Sequence, residues 1–61
     1  MVEKGNLILR ALEVGPLMGN CYILGDKETG EAVVIDPGAE PDRILLTMAK
    51  DKLTAKYILL T

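Results

Sequence analysis

The chain closes on Lys56-Tyr57-Ile58-Leu59-Leu60-Thr61, which holds four consecutive hydrophobic residues and no turn signal. A β-strand points alternate side chains to opposite faces, so an unbroken apolar run suits a strand covered on both sides. Such cover takes helices or a second sheet on each side, and the residues upstream offer one convincing helix. The strand is therefore expected to be hidden either by association with further copies or by the remainder of a larger domain. The second expectation is favoured, with these residues as the opening piece of that domain.

Size points the same way. A chain of 61 residues is at most one domain. It buries only about 60% of the surface that its unfolded form exposes. The usual supplements of a small core are missing. Cys21 is the single cysteine, so no intrachain disulfide can form, and without histidine no zinc site of the His/Cys type can be built.

Composition is that of a globular chain, 49% hydrophobic and 26% charged, and the apolar part is aliphatic apart from Tyr22 and Tyr57. The net charge of −2 is spread along the sequence with no basic block, which argues against nucleic-acid binding. No apolar stretch is long enough to span a membrane, and Arg10 and Glu13 interrupt the first apolar run, so it does not read as a signal peptide. A cytoplasmic location is the expectation.

Residues Leu7 to Val14 predict a first strand, broken by Gly15-Pro16-Leu17-Met18-Gly19. Asn20 to Leu24 predicts a second strand and Ala32 to Ile35 a third, joined by the polar loop Gly25–Gly30 as an antiparallel pair. A helix should begin near Glu40 or Pro41, since proline suits a first helical position. Ile44, Leu45, Met48 and Ala49 recur at helical spacing as its buried face. Glu40 and Asp42 near its start and Lys50 and Lys52 near its end complement the helix dipole. The helix should close over Lys52 to Ala55, and Lys56 to Thr61 is the fourth strand. The expected class is α/β (α+β), as a β-β-β-α-β unit.

Residues able to do chemistry are few. With no histidine there is no histidine general base and no Ser/His/Asp or Cys/His arrangement. Asp36 and Glu40 flank a strand-to-helix turn, where carboxylates serve local hydrogen bonding. Cys21 lies in a strand without a cationic neighbour and reads as a buried, inert thiol. Asn20 reads as a turn residue entering a strand, and Met18 as a loop side chain packing on the strands below. Asp36-Pro37-Gly38 lacks the glycine pattern and Lys-Ser/Thr of a phosphate loop. No catalytic, cofactor-binding or metal-binding residue is assigned within the chain.

In order along the chain, Val14-Gly15-Pro16-Leu17, Asn20-Cys21-Tyr22-Ile23-Leu24, Gly30-Glu31-Ala32-Val33-Val34-Ile35-Asp36-Pro37-Gly38, a helix, and Tyr57-Ile58-Leu59-Leu60-Thr61 resemble the start of the metallo-β-lactamase-fold hydrolases. The branch they are most similar to is the glyoxalase II-like one, the hydroxyacylglutathione hydrolases. The resemblance implies part of one half of an αββα sandwich. In the family, the strand matching Lys56–Thr61 leads into the metal motif His-x-His-x-Asp-His, and every metal ligand lies beyond that point. Asp36 matches an aspartate that organises loops beneath the metal site, a structural role. The resemblance thus implies a zinc- or iron-dependent hydrolase of thioester, lactam or related bonds for the parent protein, with these residues alone inactive. Two other expectations come from different classes. One is a self-assembling scaffold module without enzymatic activity. The other is a small-molecule module with the Gly15–Gly19 loop and the Asp36–Glu40 turn as its pocket rim.

Overall fold

The computed structural model describes residues 2–16 and 19–61. Among them it places strands β1 (Val2–Lys4), β2 (Leu7–Val14), β3 (Gly19–Asp26) and β4 (Glu31–Ile35), helix α1 (Pro41–Lys50) and strand β5 (Thr54–Leu59). They form one sheet in the order β1-β2-β3-β4-β5. The first four strands are an antiparallel meander, and α1 carries the chain across to β5, which lies parallel to β4. The mixed α and β class holds, but five strands replace the expected four. Strand β1 holds just three residues, two of them charged, and pairs through the two-residue turn Gly5-Asn6, where Gly5 has φ 61°. It is too short and too polar to carry an alternating pattern. Leu17 and Met18, the latter expected to pack on the strands, lie outside the described residues.

Register sorts the side chains onto two faces. Ile23 lies opposite Arg10 and Val34, and Cys21 opposite Leu12. Val14, Cys21, Ile23, Ala32 and Val34 pack with Ile44 and Met48 of α1 and with Leu53 into the buried core. Gly25 belongs to the same face for a steric reason. A Cβ there would stand 2.5 Å from a methyl carbon of the buried Leu53, so the missing side chain makes room for that residue.

The opposite face carries two apolar rows, Leu9-Leu24-Val33-Tyr57 and Ala11-Tyr22-Ile35-Leu59. No described element covers them. The expected demand for cover on both sides of the last strand is therefore unmet by the described residues. Tyr57, Ile58, Leu59 and Leu60 are 60%, 62%, 51% and 80% exposed, and β5 is an edge strand. Strand β5 also starts and stops two residues earlier than the apolar run suggests. A register shift beside Ala32/Val33 pairs Ala55 with Ala32 and Tyr57 with Val33, which leaves Lys56 as the extra residue. Lys56 instead pairs with Glu31, Nζ to Oε2 at 2.8 Å.

Helix α1 departs from expectation in its buried face and in its end. Ile44 and Met48 are buried, whereas Leu45, Leu46 and Ala49 are exposed. One ten-residue helix touches the sheet along a single i, i+4 row. Leu45 instead lines a groove with Pro37, Pro41, Ala55 and Ile58. The helix ends at Lys50 because Lys52 takes a left-handed backbone, φ 56°. The Leu53 N–H donates to Met48 O at 2.9 Å and the Lys52 N–H to Ala49 O at 3.1 Å. That is a Schellman cap, with its usual hydrophobic contact made by Leu53 and Met48 in the core. Such a cap normally carries glycine at the left-handed position, and here lysine stands in its place. Lys52→Gly is expected to stabilise the fold by about 1 kcal/mol by relieving the backbone cost. Thermal or urea unfolding of the two chains checks this, and an unchanged or lower midpoint would contradict it.

The C-terminal cap is also tied to the sheet. Arg10 of β2 donates from Nε to Asp51 Oδ2 at 2.8 Å and from Nη2 to Asp51 Oδ1 at 2.7 Å. This fork, part-buried, holds the Asp51 carboxyl below the usual range, chiefly through the hydrogen bonds. Residues 41 apart in sequence gave no hint of it. No helix among the described residues is long and apolar enough to cross a membrane.

Candidate functional site

At one end of the sheet, β2, β4 and β5 finish, β3 starts and α1 begins. Val14, Gly15, Pro16, Gly19, Asn20, Asp36, Gly38, Ala39 and Thr61 surround a depression of about 460 Å³ there. Gly15, Pro16 and Gly19 meet the turn after β4 at this place, the two segments read in sequence as parts of a rim.

Asp36 is the first residue after β4 and is half-buried, with a left-handed backbone at φ 55°. Its N–H donates to Leu59 O at 2.8 Å, which extends the β4–β5 pairing by one bond. Its carboxylate accepts two bonds from Thr61, from the hydroxyl Oγ1 at 2.5 Å and from the backbone N–H at 2.7 Å. These two bonds, the hydroxyl's first, hold the Asp36 carboxyl below its ordinary pKa. Gly38 N–H closes the turn onto Asp36 O at 2.8 Å.

Glu40 precedes α1, also with a left-handed backbone, φ 54°, and caps the helix with no side-chain bond. Pro41 occupies the first helical turn as expected. The Glu40 carboxylate reaches the loop after β2, where Oε2 accepts from the Gly15 N–H at 2.7 Å, and it lies 3.8 Å from Nη1 of Arg43. Arg43 donates in turn to the carbonyl of Glu13. Here the structure corrects the sequence reading. The hydrogen bonds that both carboxylates accept come from segments 25 residues away, from Thr61 to Asp36 and from Gly15 to Glu40. A sequence shows that acidic residues flank a turn but not which remote donors converge on it.

Cys21 is fully buried in the core, and burial first, then the negative charge of Asp36, pushes its thiol above the ordinary value. A thiol so placed is a poor nucleophile, in keeping with the inert reading. Asn20 is the second residue of β3, opposite Glu13, and stands exposed on the rim.

These residues do not fit a metal ion by themselves. The chain has no histidine. Among the described residues no three His, Cys, Asp or Glu side chains come together. The Asp36 oxygens are taken by Thr61, and Cys21 is enclosed by the core. A water-activating zinc needs about three protein ligands and an open position. No chemical step can be assigned to a metal on this set.

No protein-family model matches the chain. It is 46% identical over 39 residues to an uncharacterised protein of Aquifex aeolicus (strain VF5), a match that covers 64% of this chain and 18% of that protein. Among solved structures it is similar to the crystal structure of the BLEG-1 B3 metallo-β-lactamase, with a TM-score of 0.77 and 30% identity. That likeness covers 87% of this chain and 25% of the other. The chain thus spans a quarter or less of the proteins it matches. Its sheet and helix have the architecture of part of a metallo-β-lactamase fold.

Proposed function

We propose that these residues form the opening part of a metal-dependent hydrolase domain, and that they are catalytically silent on their own. The parent would act on a thioester, lactam or related bond, as in the glyoxalase II-like branch, with zinc or iron as its metal. The observation that carries this reading is the likeness to a B3 metallo-β-lactamase over 87% of the chain at 30% identity. The uncovered apolar rows of the sheet support it, since the second half of a sandwich would need such a face to pack on. The tie from Asp36 to Thr61 also fits. It holds the backbone at the position after which the family's metal motif would follow.

Zinc titration provides the test. The chain of 61 residues is expected to show no stoichiometric site of submicromolar affinity, because the donors are missing. The encoding gene is expected to continue after Thr61 with histidines at the family spacing. A protein carrying that continuation and the later ligands should bind zinc tightly, whereas a few added residues should not. A tight one-to-one zinc site in the short chain, or a continuation without histidines, would overturn the reading.

A further inference from the structure

We infer that the five residues Asp36–Glu40 act as a rigid tie that couples the loop after β2 to the backbone leaving β5, so that loosening one loosens the other. The two anchors sit at the two ends of this segment. Asp36 grips Thr61 and Leu59, and Glu40 grips Gly15, with Arg43 joining Glu40 to the end of β2 at Glu13.

What lies between the anchors transmits rather than absorbs movement. Asp36 and Glu40 each adopt a left-handed backbone and each precede a proline, Pro37 and Pro41. Non-glycine residues avoid the left-handed region, and a residue before proline favours extended backbone. Both positions therefore hold only while their contacts hold. Proline fixes φ at two further positions, one within the segment and one just past it. Ala39 abuts the loop directly: a Cβ on Gly15, itself at φ 78°, would stand 3.1 Å from the Ala39 Cβ. Gly38 is the most adaptable residue of the segment, and its N–H is bonded back to Asp36 O. If the Gly15 bond breaks, Glu40 loses a contact that sustains its backbone. Relaxation there then reaches Asp36 through a short, stiff path.

Site-resolved amide hydrogen exchange tests this, because it reports local opening at each tie separately. Glu40→Ala is expected to speed exchange at Gly15 about tenfold, as for loss of a bond to a charged acceptor. The informative readout is remote. Exchange at Asp36 and Thr61 should rise about fivefold, relative to the Ile23 amide in the central strand, which reports global opening. Thr61→Ala should act in reverse and raise exchange at Gly15, since coupling between two sites is reciprocal. Faster exchange at Gly15 with Asp36 and Thr61 unchanged relative to Ile23 would show two independent loops and overturn the proposal. Should Glu40→Ala accelerate all amides together, the Thr61→Ala chain decides: a rise confined to the rim, Gly15 included, supports coupling, and an unchanged Gly15 rejects it.

Discussion

At micromolar concentration the isolated chain is expected to sediment as a dimer or a larger assembly. Two surfaces demand it. One is the apolar sheet face, where the rows Leu9-Leu24-Val33-Tyr57 and Ala11-Tyr22-Ile35-Leu59 lie open. Fully burying a large aliphatic side chain contributes about 1.5–3 kcal/mol, so leaving several exposed forfeits much of what a small core can supply. The other is the edge of β5, whose outward backbone groups are free to pair with another strand. A two-fold dimer can stack the bare faces or join the edges, and either covers Tyr57 or Leu59. Charge on that face should therefore undo association. The double variant Tyr57→Lys, Leu59→Lys is expected to shift the equilibrium toward monomer, because both side chains are more than half exposed within a single chain. Sedimentation equilibrium at several loading concentrations is the measurement. A monomer that melts sharply and cooperatively would remove the need for outside cover, and with it the main physical support for a larger parent domain.

If the chain continues into the hydrolase domain proposed above, Asp36→Asn in that longer protein is expected to lower metal occupancy or turnover by about 10–100-fold, the usual effect of losing a group that orients a ligand-bearing segment. The melting temperature should change little. Asparagine tolerates the left-handed backbone at this position, so the substitution mainly removes charge and acceptor strength toward Thr61. The same contact has a pH signature. Asp36 titrates below its ordinary value in the folded chain, so the Thr61 tie is at full strength above the unfolded carboxylate pKa. It is lost as pH falls through the lowered folded value. The wild-type β5 terminus should loosen on acidification across that window, and the asparagine variant should show no such step. Metal content, melting temperature and the pH dependence of the Thr61 amide signal, taken on the same variant, separate a role beneath the metal site from a merely local one. A fall in melting temperature with metal content unchanged would favour the local role.

Much of the strand plan was legible because it rests on local rules. Alternation and breakers located β2, β3 and β4 to within two residues, and Pro41 marked the start of α1. The two rows of the open face follow from the same alternation once pairing is known. The end of α1 was not legible. Lys52 stands where glycine is usual, and the Leu53–Met48 contact that sustains it exists only after the helix docks. The buried face was half legible. Ile44 and Met48 meet the sheet, but periodicity cannot say that the docked helix leaves Leu45 and Ala49 exposed.

The rim shows the same division. By itself the sequence determined that the chain holds no histidine, no cysteine pair and no charged block. It also determined that the last strand is apolar on both faces. Donor chemistry and hydropathy are properties of the residues, whatever the fold. Only the tertiary structure decided that Asp36 grips Thr61, that Glu40 grips Gly15 and that Arg10 forks onto Asp51. Each of these contacts joins segments 25 or more residues apart. Their geometry is set by strand register and by the crossover through α1, which no local pattern encodes.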